Sequence, residues 1–334
     1  MSLASLRTKI INVFRRKSDK AKPCKTSKLE CGNTIFKEQM SLVVDSNSFE
    51  NLSSFISQTQ NSDIKNSFKS NYNIEAEIGR GRFAKVSLII RRFRAGQDTI
   101  ENILREIYVL KISSQIDQIV KLHDFYMSNS EIAIILEYCQ GGDLFHFCMN
   151  NENSLTESNV INIISQLLIA VRHLHNNSFV HLDIKPENIL LRGVKDDEYK
   201  IALCDFGLAK YLDKNIVVRD MVGTPDYAAP EILNFDRIHF QTDCWSIGVV
   251  TYYLLTNGES PFCGDTKDQT LYNVTTLNIS YPQDLFVNIS QKAINFVKAN
   301  IQKNPVLRPT VNELMSNPWL SKINESDQGD GKHL

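Results

Sequence analysis

The eight residues HLDIKPEN, at positions 181–188, decide which fold this sequence predicts. They place a carboxylate at Asp183, an ammonium group at Lys185 and a carboxamide at Asn188. A carboxylate can accept a proton, a lysine can neutralise an anionic oxygen, and carboxylate or amide oxygens can bind a hard cation. A second triplet, DFG at 205–207, follows an apolar stretch at 200–204 and adds the carboxylate of Asp205. Together these groups predict a site for phosphate oxygens and a divalent cation.

HLDIKPEN resembles the catalytic loop of protein kinases, and DFG resembles their metal-binding triplet. The resemblance implies that Asp183 accepts the proton of an acceptor hydroxyl and that Lys185 steadies the γ-phosphate of ATP. It implies that Asn188 and Asp205 bind Mg²⁺, so ATP and Mg²⁺ are the expected cofactors. The fold it implies is α+β and two-lobed, with a small β-rich lobe, here shortened, and a larger helical lobe.

Further motifs would bind the nucleotide. IGRGRFAKV at 78–86 resembles the glycine-rich loop over the ATP phosphates, where glycines let the backbone approach anionic oxygens. The candidate residues of this loop are Ile78, Gly79, Arg80, Gly81, Arg82, Phe83, Ala84, Lys85 and Val86. Glu137 and Cys139 resemble the hinge, whose backbone would bond adenine, and Glu106 resembles the glutamate of the central helix.

Scaffold positions of the family can also be recognised. GTPDYAAPE at 223–231 resembles the end of an activation segment in kinases that use serine or threonine. By resemblance, Glu231 should pair with Arg308, and Asp243 should bond the backbone of the catalytic loop. His181 should be structural and lie near Phe206.

Within the family, the stretch 72–320 is most similar to the death-associated protein kinases, in their smaller DAP-kinase-related branch. The segments that carry this resemblance include GRFA at 81–84, RAGQD at 94–98, ILEYCQGGDLF at 135–145 and APEILN at 229–234. The resemblance implies a serine/threonine protein kinase that acts in apoptosis-type or cytoskeletal signalling and phosphorylates proteins.

Two features bear on regulation and substrates. Many kinases have an arginine at the position of Leu182 that clamps a phosphorylated residue, and no Ser or Thr lies between Phe206 and Gly223. We therefore expect activity without activation-segment phosphorylation. Asp143 and Glu187 match acids that contact basic residues before the acceptor Ser or Thr, and Thr224 is a further substrate-site candidate. The alternative for the two acids is that they are ordinary surface carboxylates.

The family's lysine in the third strand is missing. No lysine occurs between Lys85 and Lys111, and Leu88 falls where that lysine would be, with the preceding hairpin deleted. Lys85, Arg91 and Arg92 are candidate replacements, although an arginine fork is not equivalent to lysine. Without a replacement, Glu106 should lack its partner. The alternatives are a catalytically weak or inactive pseudokinase scaffold, or an incomplete isoform of an active kinase.

The sequence also predicts how the chain is divided into segments. We expect a mostly disordered extension at 1–70, a kinase domain at 72–320 with lobes at 72–138 and 141–320, and a short polar tail at 321–334. Residues 1–28 carry nine Lys or Arg and one acid. They are a solvated basic tail, a membrane-surface helix with helical spacing over 3–14, or a targeting segment for import factors.

Bulk properties agree with this organisation. A net charge of −1 over 334 residues gives no field that favours nucleic acid, so no specific nucleic-acid partner is expected. Seven scattered cysteines suit a reducing compartment, which predicts a cytoplasmic or nuclear location. We also expect a monomer. Strands are predicted at 72–78, 83–90, 119–127 and 132–138, and helices at 98–113, 158–176 and 242–256.

Overall fold

The small lobe is an antiparallel sheet with one helix against it. The computed structural model describes residues 10–16, 72–76, 86–92, 100–127, 131–149, 155–195 and 198–321. The small-lobe strands are β1 (Ile10–Arg16), β2 (Tyr72–Ala76), β3 (Val86–Arg92), β4 (Leu122–Met127) and β5 (Glu131–Glu137), and its helix is α1 (Ile100–Ile112). The strand order is β2-β1-β3-β5-β4.

The predicted strands of the domain and its helix α1 are present, with shifted ends. Strand β3 runs to Arg92, so the predicted end of this strand at position 90 is wrong. The reason is backbone pairing: every residue of β3, from Val86 opposite Glu137 to Arg92 opposite Glu131, is matched to β5. Helix α1 buries Ile103, Ile107 and Leu110, the face predicted from their spacing.

Strand β1 overturns part of the prediction for the N-terminal extension. Residues 10–16 form a strand of the small-lobe sheet, so neither disorder nor a helix describes them. The segment reads IINVFRR, and branched and aromatic residues suit a pleated sheet. Its backbone groups pair on both sides, with β2 and with β3, which outweighs a helical spacing of apolar residues. Residues 17–71, also predicted to be disordered, lie outside the described residues.

The position of β1 changes how the chain connects the sheet. Strand β1 is antiparallel to both β2 and β3, so these two strands are parallel to each other and not adjacent. Val13 is the common neighbour: it lies opposite Ala76 on one side and Ser87 on the other. The chain from Ala76 to Val86 therefore joins strands two places apart in the sheet, instead of closing a hairpin.

The large lobe is mainly helical. Its helices are α2 (Leu144–Met149), α3 (Glu157–Asn176), α4 (Pro230–Leu233), α5 (Gln241–Leu255), α6 (Lys267–Thr276), α7 (Gln283–Phe286), α8 (Gln291–Asn300) and α9 (Val311–Met315). Its short strands are β6 (Phe179–Val180), β7 (Ile189–Lys195), β8 (Glu198–Leu203) and β9 (Lys210–Tyr211). Two 3₁₀ turns, Pro186–Asn188 and Pro305–Leu307, complete it.

The two long predicted helices form the centre of this lobe. Helix α3 starts at a capping box, in which Thr156 and Asn159 each accept the other's backbone N–H. Helix α5 is buried on all sides, and its buried residues include the polar Thr242, Asp243 and Ser246. No helix in the described ranges is long and apolar enough to cross a membrane.

The connection between the lobes requires its glycines. The Gly141 N–H donates to the Leu191 carbonyl at 2.9 Å, and a Cβ on Gly141 would lie 2.6 Å from the Leu191 Cβ. Gly142 follows with φ +71, a conformation in which a side chain is strained. This close approach places the end of β5 against β7, the strand that follows the catalytic loop.

Candidate active site

The catalytic loop lies between β6 and β7 and is held from below by Asp243 on α5. The Asp243 carboxylate accepts the backbone N–H of His181 at 2.9 Å and of Leu182 at 3.0 Å. Burial alone would raise the pKa of Asp243, but the hydrogen bond from His175, at 2.9 Å, and the neighbouring histidines lower it. The prediction that Asp243 bonds the loop backbone is confirmed.

The loop backbone is strained at Leu182. This residue has φ +66, a left-handed conformation that costs a branched side chain of order 1–3 kcal/mol. The side chain is nevertheless buried in an apolar cluster with Val180, Ala228, Ile232 and Ile238. The position where many kinases place a phosphate-binding arginine is therefore filled by hydrophobic packing. Strain of this kind is typical of loops whose neighbouring side chains must be aimed.

Three predicted site residues meet directly after this strained position. Lys185 Nζ lies 2.8 Å from Asp183 Oδ2 and 2.7 Å from Thr224 Oγ1. The Thr224 hydroxyl donates to Asp183 Oδ1 at 3.0 Å. The fourth, Asn188, donates its side-chain N–H to Asp183 Oδ2 at 3.0 Å and to the Asp183 carbonyl at 2.8 Å. The structure therefore gathers a carboxylate, a cation, a hydroxyl and a carboxamide around one point.

The predicted metal ligands come from adjacent chain segments. Asp205 follows β8 with φ +60, and its Oδ1 accepts the Gly207 N–H at 3.3 Å. The Cys204 N–H donates to the Asn188 carbonyl at 2.9 Å, which links the two ligand-bearing segments. Among the described residues no group of three or more His, Cys, Asp or Glu side chains could hold a metal alone. Two oxygen ligands completed by substrate phosphates suit Mg²⁺, so the residues fit this ion.

The scaffold predictions around the site are confirmed. The His181 ring packs edge-on to Phe206, with ring centroids 5.1 Å apart. Arg308 makes a bidentate pair with Glu231, at 2.6 and 2.7 Å, and both side chains are almost fully buried. These contacts are structural and are not part of the proposed transfer step. They fix the activation segment and the metal-binding triplet to the core of the large lobe.

The activation segment is held by an ion pair and by apolar packing. Lys210 and Asp220 form an ion pair at 2.8 Å across the segment. Leu212, Val218 and Val222 pack against the apolar cluster around Leu182. The Ile238 N–H also donates to the Val218 carbonyl at 2.9 Å. Apolar packing and this ion pair thus hold the segment that a phosphate clamp holds in many kinases.

The candidate substrate acids differ in their surroundings. Asp143 Oδ1 accepts the backbone N–H of His146 at 2.9 Å, and the His146 ring lies 2.9 Å from both carboxylate oxygens. Glu187 has a buried carboxylate oxygen, Oε2, with no hydrogen-bond partner within the described part of the chain. Burial, partly offset by the charge of Lys185, raises the pKa of Glu187. Such a carboxylate favours a cationic partner.

The nucleotide side of the site is described only in part. Val86 begins β3, whereas the other glycine-rich-loop candidates, residues 78–85, lie outside the described residues. Glu137 ends β5, and Cys139 is buried just beyond it. Strand β3 reads VSLIIRR and has no lysine, and its Leu88 is matched to Ile135 of β5. Leu88 therefore lies beside β5, as expected for a residue in the third strand of the protein kinase family.

Glu106 is 2% exposed on α1 and is not without an interaction partner. That it lacks the contact made by the family's third-strand lysine stays a prediction. The preceding residue, Arg105, is also buried and donates to the Ala209 carbonyl at 3.1 Å. This bond ties α1 to the start of the activation segment. It was not predicted, because no motif spacing connects position 105 with position 209.

A charged cluster at the hinge was also missed by sequence reasoning. Arg192 on β7 donates to both carboxylate oxygens of Glu137, at 2.5 and 2.7 Å. The sequence shows Glu137 within a recognisable hinge motif, but it offers no signal that its partner lies on β7. Only the pairing of β7 with β8 and the close approach of Gly141 bring the two residues together.

The chain is similar in sequence to known protein kinases. Residues 72–320 match the family model described as protein kinase domain. The chain is 38% identical over 265 residues to serine/threonine-protein kinase 17A of Oryctolagus cuniculus, covering 75% of this chain and 66% of that protein. It is 35% identical over 269 residues to death-associated protein kinase 2 of Mus musculus, covering 75% and 72%.

Two further similarities show how far the likeness extends. Death-associated protein kinase dapk-1 of Caenorhabditis elegans is 38% identical over 271 residues, which is 76% of this chain but 19% of that protein. A solved structure of the twitchin kinase region from C. elegans aligns with a TM-score of 0.63 at 30% identity, covering 71% of this chain and 42% of that one. The chain thus spans less than two thirds of several of the relatives that it matches.

Proposed function

The chain belongs to the protein kinase family, in its death-associated protein kinase group, and we propose that it phosphorylates serine or threonine residues of proteins. The observation that carries this proposal is the meeting of Asp183, Lys185 and Thr224 within 3.0 Å of one another. By analogy with its relatives, we place this activity in apoptosis-type or cytoskeletal signalling.

The chemistry requires little covalent work from these residues. An acceptor hydroxyl oxygen forms a bond to the γ-phosphorus of ATP, the bond from that phosphorus to the bridging oxygen breaks, and ADP leaves. Asp183 accepts the hydroxyl proton, because its carboxylate is held in place by Asn188 and Thr224. Lys185 brings positive charge to the phosphate oxygens, where charge is concentrated during transfer.

The metal site would use two residues of this chain. Asn188 and Asp205 would bind Mg²⁺, which neutralises phosphate charge when it is bound. Asn188 commits its amide N–H to Asp183, so its amide oxygen is the atom suited to bind a cation. This arrangement couples the position of the metal ligand to the position of the base.

The substrate would carry basic residues before the acceptor. The unpartnered oxygen of Glu187 and the carboxylate of Asp143 offer two sites for guanidinium groups, which pair with carboxylates through two parallel N–H bonds. Arginine would have to displace the His146 ring from Asp143. Glu187 is therefore the stronger determinant of the two.

The test is transfer of labelled phosphate from Mg²⁺-ATP to a serine peptide with preceding arginines. Mass spectrometry should first show that the protein carries no phosphate between Phe206 and Gly223. We expect transfer by the 334-residue chain and its loss in Asp205→Ala. If activity depends on a phosphate in that segment, our expectation of phosphate-independent activity fails. If transfer occurs, Lys85, Arg91 and Arg92 are the next positions to substitute.

A second candidate function is a non-catalytic interaction module, and the observation that favours it is the absence of lysine from β3. This candidate predicts no transfer and no effect of Asp183→Asn on partner binding. If no transfer is seen, the chain is either an incomplete form of an active kinase or a scaffold. Insertion of a lysine-bearing hairpin after Val86 distinguishes these two explanations. Activity gained by the insertion indicates an incomplete form of an active kinase, and continued inactivity indicates a scaffold.

The location of the protein is a separate proposal. Scattered cysteines favour a cytoplasmic or nuclear location, and we expect a monomer. The basic segment 1–28 favours contact with anionic membrane surfaces or import factors. Because Ile10–Arg16 is also a strand of the small lobe, its sheet pairing competes with such contacts. Imaging of the full chain beside a variant with Arg15 and Arg16 replaced by glutamine tests the proposal. An unchanged distribution would count against it.

A further inference from the structure

Arg192 makes a set of contacts that the proposed chemistry does not use. Besides Glu137, its guanidinium donates to the Ile119 carbonyl at 3.1 Å and the Ile201 carbonyl at 3.3 Å. It also donates to the Asp117 carbonyl. Its partners therefore come from three places: the end of β5, the loop after α1, and β8. One side chain of the large lobe joins these three segments.

Lys121 makes a second set of contacts with Glu137. The backbone N–H of Lys121 donates to Glu137 Oε2 at 3.2 Å, and the Glu137 N–H donates to the Lys121 carbonyl at 2.9 Å. The Lys121 ammonium donates to the Ser114 and Ile116 carbonyls, at 2.9 and 2.8 Å. We call Lys121, Glu137 and Arg192 the hinge cluster. The Arg192 guanidinium holds the carboxylate, and the Lys121 ammonium holds the loop after α1.

The cluster is sufficiently buried for these contacts to be strong. Each side chain of the Arg192–Glu137 pair is only 21% exposed. Burial alone would raise the pKa of Glu137, but its hydrogen bonds from Arg192 and the charge of Arg192 lower it. The carboxylate therefore stays charged, and the bidentate geometry fixes its direction as well as its distance. A held carboxylate on Glu137 restrains the backbone to which it is attached.

That backbone leads directly into the segment expected to bond adenine. Glu137 is the last residue of β5, and Cys139 lies two residues later. The Cys139 carbonyl accepts the Gly142 N–H at 3.3 Å, and Gly141 is bonded to Leu191, the residue before Arg192. The hinge is thus anchored to β7 at both ends, by the charged pair at Glu137 and by the backbone bond at Gly141.

We propose that Arg192 is a positioning residue that holds the hinge backbone, through Glu137, in the arrangement that receives adenine. This inference rests on the proposed kinase function. Arg192 has no role in the transfer step itself, because its contacts are with Glu137 and with backbone carbonyls. Its removal should weaken nucleotide binding and leave phosphate transfer from bound ATP unchanged.

The first test is steady-state kinetics of the full chain with Arg192→Ala and Arg192→Lys. We expect the KM for ATP to rise roughly tenfold in Arg192→Ala, because a hydrogen-bonded charge is lost, while kcat and the KM for peptide stay within about twofold. Arg192→Lys should recover only part of the loss, since a lysine cannot form the fork. The matched control is Arg172→Ala, an exposed arginine on α3, which should change neither constant.

A double-mutant cycle shows whether Arg192 acts through Glu137. Glu137→Gln keeps the hinge backbone and weakens the pair, so Glu137→Gln combined with Arg192→Ala should raise the KM little further than Arg192→Ala alone. Independent, multiplying effects would overturn the proposal. So would a fall in kcat equal to the rise in KM, which would indicate general damage to the fold.

A second readout keeps the inference separate from the proposed function. Hydrogen exchange can be measured without nucleotide at the amides of Lys121 and Glu137, with the amides of α5 as reference. Arg192→Ala should speed exchange at the first two by about tenfold and leave α5 unchanged. If the wild type transfers no phosphate, the kinase proposal fails, but this measurement still decides the role of Arg192. Unchanged exchange at Glu137 would refute it.

Discussion

The two lobes differ in how they are assembled from the sequence. In the large lobe, the catalytic loop, metal-binding triplet and activation segment lie between positions 181 and 231, and the described side chains meet as the motifs predict. In the small lobe, the sheet takes its second strand from residues 10–16 and lacks the family's lysine in β3. The motif residues proposed for phosphate transfer are present in the large lobe, while the small lobe departs from the family pattern in the source of its second strand and in β3.

This difference shows that the lobes depend on different kinds of interaction. The large lobe fixes its site with buried side-chain contacts, such as Asp243 with the loop backbone and Arg308 with Glu231. The small lobe depends on backbone pairing between strands far apart in the chain. Substitutions should therefore act on different properties in each lobe, and the following predictions test that separation.

The largest effect should follow from breaking the buried ion pair of the large lobe. Arg308→Met leaves the Glu231 carboxylate buried without its partner, which should cost about 3–5 kcal/mol of unfolding free energy. Urea unfolding followed by tryptophan fluorescence measures this loss. The double variant Glu231→Leu with Arg308→Met should recover much of it. A single-variant loss below about 1 kcal/mol would show that the large lobe does not depend on this pair.

A smaller and local effect should follow from breaking strand β1. Val13 lies between two strands, so Val13→Pro removes a ladder hydrogen bond and should destabilise the small lobe by about 1–3 kcal/mol. Hydrogen exchange should quicken in β3 and β5 and stay unchanged in α5. Val13→Thr, which keeps the backbone N–H and a β-branched side chain, is the matched control.

A peptide of residues 8–18 sharpens this prediction. Added to a chain that lacks residues 1–16, it should restore slow exchange in β3, because an extended peptide can add itself to an open strand position. A peptide with proline at position 13 should not restore it. Equal exchange in β3 with and without residues 1–16 would contradict the assignment of β1 to the sheet.

The smallest effect concerns substrate choice in the large lobe. Because burial raises the pKa of Glu187 above its ordinary value of 4.5, its charged form is lost at a higher pH than for an exposed glutamate. As the pH is lowered, the preference for an arginine-containing peptide over its glutamine counterpart should begin to fall at a higher pH than an exposed glutamate would cause. Glu187→Gln should show a lower preference that changes less with pH. Because Glu187 belongs to the large lobe, Val13→Pro should leave this preference intact.

The sequence predicted the large lobe better than the small one for a physical reason. Asp183, Lys185, Asn188 and Asp205 occur at short fixed spacings, and their chemistry restricts what such a pattern can mean. Helix α3 also shows in its apolar spacing, since burial of one face sets it. The family resemblance that these motifs carry was therefore sufficient to predict the fold class, and the catalytic roles of the individual side chains stay predictions.

The features that the sequence did not predict all depend on contacts between residues far apart in the chain. A local sequence pattern contains no information on such contacts. Residues 10–16 fit a helical spacing in isolation, and only the open position between β2 and β3 makes a strand the better solution. Arg192 and Arg105 appear in the sequence as ordinary arginines, yet each makes buried contacts with distant carbonyls. Their roles are set by tertiary contacts that only the fold creates.

The place of β1 in the sheet has a consequence for how the chain acquires its structure. During synthesis, residues 10–16 leave the ribosome well before β2 and β3, the strands with which they pair. The loop that must close between Arg16 and Tyr72 carries an entropic cost that grows with the logarithm of its length. Contacts between residues so far apart in the sequence slow folding, whereas the helices of the large lobe form from neighbouring residues. We expect the small-lobe sheet to be the last part of the molecule to form and, until then, to present open strand edges to chaperones.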